Sequence, residues 1–415
     1  MSVTSGVAWA PDLPADWRHT TLGRICRIYA GGTPDRANDD YWVGGSVPWL
    51  NSGAVNDWDI TTPSSLITKE GASGGRTRWA PPGSVVMALA GQGKTKGMAA
   101  RMSIASTVNQ SLAVIVPDES LLHYRYLHFW IAANYWAIRG MGGGDLRDGL
   151  NLSHVSSIET PLPGTTEQVA IADYLDRETA EIDAFIADQE ELITLLTERR
   201  AATITLAVTK GVDSSVPTQS SDIDWLEGEQ VPAGWLSMKL RWIANLRSGD
   251  FIEAEKIDSA GRFPVYGGGG LRGFTDSANT NGPHVLIGRQ GALCGKVWPA
   301  SGPFYATEHA VRVSPRRELD MRWLLATLDA MNLGQYSVSA AQPGISVDVI
   351  SGKRLPVPPL GEQRRIGDIL ETEIGEIDAA IADAREAIAL SKERRAALIS
   401  AAVTGKIDVT RGAAA

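Results

Sequence analysis

Little in this 415-residue chain invites chemistry of its own. It has two cysteines, Cys26 and Cys294, in unlike surroundings, so neither a disulfide framework nor a C-x-x-C metal or redox motif is available. Its six histidines are scattered, with no H-E-x-x-H and no His/Cys pair at zinc spacing, so no metal site is expected. His123 and His128 fall on a predicted helix and read as packing residues. No apolar run approaches the roughly 20 residues of a membrane helix, and the N-terminus lacks a basic start followed by an apolar run. The chain therefore reads as cytoplasmic. No G-x-S-x-G elbow, recognisable pair of catalytic carboxylates, or cysteine nucleophile with a histidine partner is present.

An excess of basic charge is missing too. The net charge is −9, which argues at first sight against a nucleic-acid partner, because neutralising phosphates needs a positive surface. The average misleads. Residues 159–213 carry 12 acidic and 4 basic side chains, whereas residues 1–158 carry 12 and 13. Most of the surplus acid sits in one segment and leaves the rest near neutral. With 43% hydrophobic and 21% charged residues, the composition is that of a globular protein of two to four structural units.

What is present is a repeat. Residues 161–213 align with residues 356–408 at a constant offset of 195, without a gap and with roughly half the positions identical. Glu167-Gln168 falls on Glu362-Gln363, Ile182-Asp183-Ala184 on Ile377-Asp378-Ala379, and Glu198-Arg199-Arg200-Ala201 on Glu393-Arg394-Arg395-Ala396. Each copy opens with prolines and then runs for about 40 residues without one, which predicts two long helices. Ile171, Leu175, Ile182, Ile186, Ile193 and Val208 match Ile366, Leu370, Ile377, Ile381, Ile388 and Val403, so each helix keeps one apolar stripe. A stripe some 60 Å long needs a partner, and the other copy is the economical one, as an antiparallel coiled coil.

The segments ahead of the helices are related more weakly. Leu13-Pro14-Ala15-Asp16-Trp17 answers Val231-Pro232-Ala233-Gly234-Trp235, and Arg125-aromatic-Leu127 answers Arg322-aromatic-Leu324. Short β-like runs, SVVMALA (84–90), SLAVIVP (111–117), HVLIGR (284–289) and HAVRVSP (309–315), predict strands in both. The expected layout is α+β, a β-rich domain then a long helix, twice over. A polar, turn-rich stretch at 214–230 reads as a linker.

Two phosphate-loop look-alikes fail on context. ALAGQGKT (88–95) lacks the first glycine of G-x-x-x-x-G-K-[ST], and TKGMAARMSIAST carries glycine where the loop's helix would start. Gly268-x-Gly270-x-x-Gly273 runs into the turn-like GFTDSANTNGP instead of a helix. No N-P-P-[YF] of an adenine methyltransferase occurs.

Taken with these sequences, the layout resembles the specificity subunit of type I restriction-modification systems over nearly the whole chain. LPADWRHTTLGRICRIYAGGTP, YWVGGSVPWLNSG, GQGKTKG and NQSLAVIVP are similar to one recognition domain of that family, and GLNLSHVSSIETPLPGTTEQVAIADYLD to its passage into the central helix. FPVYGGGGLRGFTD, HVLIGRQGALCGKV, ATEHAVRV and QPGISVDVISGKRLPVPPLGEQ are similar to its other common recognition domain. The resemblance implies target-recognition domains at 1–158 and 231–353, a central helix at 159–213, the linker at 214–230 and a C-terminal helix at 354–415.

It further implies a non-catalytic subunit that binds double-stranded DNA, each recognition domain reading half of a bipartite, asymmetric sequence. The helices set the half-site spacing and dock two modification subunits, which methylate adenine with S-adenosylmethionine. Restriction subunits using ATP and Mg then translocate and cleave. No cofactor in this chain itself and no membrane are expected. Arg or Lys suits guanine and Asn or Gln suits adenine, so the candidate readers are donors on glycine-rich loops. In the first domain these are Arg76, Arg78, Gln92, Lys94 and Lys96; in the second, Arg272, Arg289, Gln290 and Lys296. The alternative is a coiled-coil scaffold with carbohydrate- or protein-binding β domains.

Overall fold

The short apolar runs become the central strands of two sheets. The computed structural model describes residues 7–91, 93–143, 149–226, 228, 230–337 and 343–409. In the first β-rich domain the sheet order is Cys26–Ala30, Leu112–Pro117, Val85–Ala88, Ala99–Met102, Asp59–Ile60. In the second it is Ala244–Ser248, Ala310–Pro315, His284–Gly288, Val297–Ala300. The runs are apolar without alternation because each sheet is covered on both faces. Val85 and Met87 join the core under the helices, while Val86 and Ala88 join a second core under a smaller sheet. Val285 and Ile287 likewise face one core and Leu286 the other.

Both domains are built alike. A parallel pairing ties the smaller sheet together in each, Val47–Leu50 with Ser106–Val108 and Phe263–Gly267 with Tyr305–Ala306. An antiparallel pair closes the base of each, Arg18–Thr21 with Glu159–Leu162 and Leu236–Lys239 with Arg354–Val357. The related Arg-aromatic-Leu segments open two ten-residue helices, Tyr124–Ala133 and Met321–Ala330.

The repeated segments form a central helix, Thr165–Lys210, and a C-terminal helix, Leu360–Val403, of 46 and 44 residues. At 1.5 Å per residue these are roughly 70 and 65 Å long. The chain divides into two compact units, Met1–Asp188 with Ala387–Ala415, and Gln189–Glu386. Each unit holds one β-rich domain, one end of the central helix and the opposite end of the other. In the first unit Asp183 pairs with Arg395 at 2.9 Å, and Ile171 and Leu175 share a core with Ile399 and Val403. In the second, Arg200 pairs with Asp378 at 2.9 Å, and Ile204 and Val208 share a core with Ile366 and Leu370. The helices are therefore antiparallel, and the two ion pairs are the same pair under the repeat.

The apolar stripe has more than one partner. Ile171, Leu175, Ile182, Val208, Ile366, Leu370, Ile377, Ile381 and Val403 are buried, and Ile186, Ile193 and Ile388 are half-buried. The outermost of them pack into the cores of the β-rich domains as well as against the other helix, which explains why the stripe is strongest at the ends.

The identical residues at the helix roots hold each helix to its domain. Gln168 is fully buried; its side chain accepts from the His123 amide at 2.8 Å and donates to the Pro163 carbonyl at 2.9 Å. Gln363 does the same with the Asp320 amide at 3.1 Å and the Pro358 carbonyl at 2.9 Å. The Trp17 indole bonds Glu167, and the Trp235 indole donates to Glu362 at 2.9 Å. Arg125 pairs with Asp173 and Asp176 at 2.7 and 2.9 Å, as Arg322 pairs with Asp368 and Glu371 at 2.7 and 2.8 Å. Gly211 (φ +75°) ends the central helix against Trp235, where a Cβ would come 3.2 Å from the indole. Gly405 (φ +68°) ends the C-terminal helix against Trp17 in the same way.

Two findings differ from the sequence reading or add to it. Part of the 214–230 stretch is structured: Thr218–Ser220 pairs with Gln230–Pro232 over a small core of Ile223, Leu226 and Val231. The Trp225 indole donates to the Arg354 carbonyl and Asp224 pairs with Lys353, so tertiary contacts hold a segment whose polarity suggested a linker. His128 is a packing residue with a polar role, since Nδ1 accepts from Arg101 Nε at 3.0 Å and Nε2 lies 3.0 Å from the Ala99 carbonyl. Burial and the Arg101 charge push its pKa down to about 3, so it is held neutral. Arg101 is itself buried and bonded to Asp176 at 2.7 Å. Among the described residues no helix is long and apolar enough to cross a membrane, and no group of three or more His, Cys, Asp or Glu is placed to hold a metal.

Candidate nucleic-acid interface

Glycine decides where the loops meet. Gly31 and Gly32 follow the strand Cys26–Ala30, and their amides donate to Asn109 and Val108 at 3.3 and 3.0 Å. A Cβ on Gly32 would lie 2.0 Å from the Gly75 carbonyl, so only glycine lets these backbones approach. The Leu89 amide donates to Ser111 at 2.8 Å and the Leu150 amide to Leu89 at 2.7 Å. Segments around 31–33, 75–78, 89–91 and 109–111 therefore converge beside one end of the first domain's sheet.

The second domain repeats the device. A Cβ on Gly249 would lie 2.0 Å from the Ala306 carbonyl, the Gly249 amide donates to Ala310 at 3.0 Å, and the Arg289 amide donates to His309 at 2.8 Å. Gly268 backs onto the Gln290 carbonyl, where a Cβ would come within 2.7 Å. The result is a cleft of about 540 Å³ lined by Gly267–Gly270, Leu271, Arg272, Gln290, Gly291, His309 and Pro343.

Against this frame the predicted readers separate. Arg76, Arg78 and Lys94 are exposed in the first cluster, Arg76 in the left-handed region at φ 48°. The carbonyls of Lys94 and Lys96 accept from Tyr135 Oη at 2.5 Å and Arg139 at 3.1 Å, which pins the GQGKTKG loop and leaves the Lys94 amine in solvent. Lys96 is buried at 5% exposure, a correction to its reading as a presented donor: the loop turns it inward. Gln92 lies outside the described residues. In the second domain Arg272 and Gln290 face one cleft, whereas Arg289 is half-buried with its guanidinium 3.2 Å from Ser248 Oγ, and Lys296 is exposed but outside the cleft lining.

Four residues join the clusters that the sequence did not single out. Gln110 is exposed; the Thr33 hydroxyl donates to its Oε1. Its amide group remains a donor of the kind that suits adenine. Arg27 and Arg78 both stand over the Tyr29 ring, 5.4 and 5.8 Å from its centroid, and Tyr29 Oη donates to the Trp79 carbonyl at 2.6 Å. Burial pushes the Tyr29 phenol up, with the two guanidiniums opposing. His309 lines the cleft in the second domain. Strand pairing, not a local motif, brings these residues in.

Both phosphate-loop look-alikes are hairpin turns. The first lies between antiparallel strands Val85–Ala88 and Ala99–Met102, with turns among its described residues Gly93–Gly97, and Gly268-x-Gly270 connects antiparallel strands Phe263–Gly267 and Gly270–Thr275. Neither has the helix a phosphate cradle requires.

Comparison with known proteins agrees with this architecture. The family model of the type I restriction modification DNA specificity domain matches residues 14–194 and 232–384. The specificity subunit of the type I restriction enzyme EcoprrI from Escherichia coli is 27% identical over 372 residues, 84% of this chain and 86% of that one. That of EcoR124I/EcoR124II, also from Escherichia coli, is 25% identical over 166 residues, 39% of this chain and 40% of that one. In fold, the chain is similar to one from a structural study of complex assembly and conformational transition of the type I R-M system, with a TM-score of 0.67 at 18% identity, covering 95% and 99% of the two chains. It is also similar to the crystal structure of the HsdS subunit from Thermoanaerobacter tengcongensis, with a TM-score of 0.54 at 18% identity, covering 95% and 98%. With two matched domains, each followed by its long helix, the chain belongs to the type I restriction-modification DNA specificity family and is a DNA-recognition subunit.

Proposed function

We propose that each recognition domain reads one half of a bipartite, asymmetric sequence in double-stranded DNA, and that the paired helices set the spacing. The observation that carries this reading is the duplicated loop cluster, since both domains gather polar donors beside equivalent strands, Arg76, Lys94 and Gln110 in one and Arg272 and Gln290 in the other. Half-sites on one face of B-DNA lie about 34 Å apart per turn, a distance that helices this long can span. The acidic central helix is a poor surface for DNA and a suitable one for a basic patch on a partner.

In this reading the helices dock two modification subunits, which methylate adenine with S-adenosylmethionine, and restriction subunits join with ATP and Mg. The chain supplies recognition and no catalysis, and the assembly works in the cytoplasm. Near-neutral recognition domains give modest affinity alone, so tight duplex binding requires the modification partner.

The test is single-molecule methylome sequencing of a methylation-free host expressing this chain with its neighbouring modification gene. The expected result is a split asymmetric motif with N6-methyladenine in each half. No new motif, with the modification subunit soluble and bound, overturns the reading.

A further inference from the structure

The two recognition domains carry one turn in common, and it presents a different side chain in each. In the first domain the turn at 109–111 joins the strands Ser106–Val108 and Leu112–Pro117; in the second, the turn at 307–309 joins Tyr305–Ala306 and Ala310–Pro315. Strand pairing fixes the correspondence. Ala113 pairs with Ala30 as Val311 pairs with Ser248, and Leu50 pairs in parallel with Val108 as Tyr266 does with Ala306. The backbone contacts repeat closely: the Gly32 amide donates to Val108 and the Asp250 amide to Ala306, both at 3.0 Å, and a Cβ on Gly31 or Gly249 would lie 1.9 or 2.0 Å from the same two carbonyls. Each turn is closed by its first residue. Asn109 Oδ1 accepts from the Ser111 amide at 3.1 Å, and Thr307 Oγ1 accepts from the His309 amide at 3.3 Å. Gln110 and Glu308 therefore occupy equivalent positions.

Both reach solvent beside the loop clusters. Gln110 is exposed, with the Thr33 hydroxyl donating to its Oε1. Glu308 keeps 33% of its side chain exposed, next to His309, which lines the cleft with Arg272 and Gln290. Its Oε1 lies 3.3 Å from His309 Nε2, and its Oε2 has no hydrogen-bond partner among the described residues. A carboxylate repels phosphate, so Glu308 does not serve the DNA backbone; the group on DNA that suits it is a base amine.

We infer that this turn is where each domain reads one base, and that its occupant makes the two half-sites unlike: Gln110 reads adenine and Glu308 reads cytosine. The inference rests on the reading of one half-site by each domain. A carboxamide presents an acceptor and a donor side by side, which match the N6 amine and N7 of adenine. Because Oε1 has two lone pairs, Thr33 orients the amide and still leaves one for the base. A carboxylate presents acceptors alone; it accepts from the N4 amine of cytosine and is repelled by the N7 acceptor of adenine. Oε2 of Glu308 gains there the donor it lacks within the chain.

The test exchanges the two side chains, which are nearly isosteric, in the full chain expressed with its modification subunit in a methylation-free host. Methylome sequencing of Glu308→Gln is expected to show cytosine replaced by adenine at one position of one half-site, with the other half unchanged. Gln110→Glu is expected to make the opposite change, adenine to cytosine, at one position of the other half-site. Competition between duplexes that differ only at those positions reads the same preference on the purified complex even where a variant does not methylate, and the discrimination is expected to move by roughly 5- to 150-fold. A half-site that its variant leaves unchanged, together with an unaltered preference in that competition, overturns the assignment and leaves the reading of bipartite DNA intact. A wild-type chain that specifies no motif overturns that reading and the assignment with it.

Discussion

Replacing Gln168 by alanine measures how firmly the helix root holds the first recognition domain. Its fully buried amide accepts from the His123 N–H at 2.8 Å and donates to the Leu121 and Pro163 carbonyls, each at 2.9 Å. Alanine strands one donor and two acceptors, at about 1–3 kcal/mol each, and the carbonyls fall at the low end because each keeps a second lone pair. A loss of about 4 kcal/mol is expected, which for a unit of this size lowers Tm by roughly 8–16 °C. Gln363→Ala strands the Asp320 amide and the Pro358 carbonyl, one partner fewer, so its loss is smaller. Scanning calorimetry on the full chain reads both, and Gln168→Met, which fills the space without the bonds, separates hydrogen bonding from cavity formation. A loss below about 1 kcal/mol for Gln168→Ala, or near-complete recovery in Gln168→Met, refutes the reasoning.

The helix ruler has its own test. Four residues inserted after Leu196 and, opposite in the antiparallel register, after Ile381 lengthen the pair by about 6 Å, so the methylated motif gains roughly two base pairs of spacer; an unchanged spacer sinks the idea. Acid sensitivity follows from His128, which is neutral when folded, with its pKa pushed down to about 3, and takes up a proton near 6.5 when unfolded. Its contribution is intact above about pH 6.5 and stability falls by about 1.4 kcal/mol per unit as pH drops below that. Urea midpoints between about pH 6.5 and 5 fall less steeply in His128→Gln, while an equal slope would exclude His128 as the cause. Lys94→Ala weakens cognate and non-cognate duplex alike and lowers the salt slope by about one. A changed motif would make Lys94 a base reader, and unaltered affinity and slope would remove it from the interface.

Much of the architecture is legible in the residues. The repeat at an offset of 195 marks two long helices, and uninterrupted apolar runs such as Val85–Ala88 mark the sheet centres. Identities at the helix roots are visible as well, but their roles are not: that Gln168 closes onto His123 while Glu167 holds Trp17 depends on which backbone groups the fold brings alongside. The candidate readers were half legible. Loop glycines beside Arg76 and Arg272 flag donors, yet nothing local reveals that Lys96 turns inward or that Arg27 and Arg78 share one tyrosine ring.

The duplication, the helix lengths and the class of the two domains can be read from periodicity and proline placement, which are properties of neighbouring residues. That each helix ends against the opening tryptophan of the other repeat, and that Asp224 and Trp225 are held by Lys353 and Arg354, emerges only with the fold. Those features depend on contacts between residues far apart in the chain, where backbone approach and packing, not local pattern, set the energy.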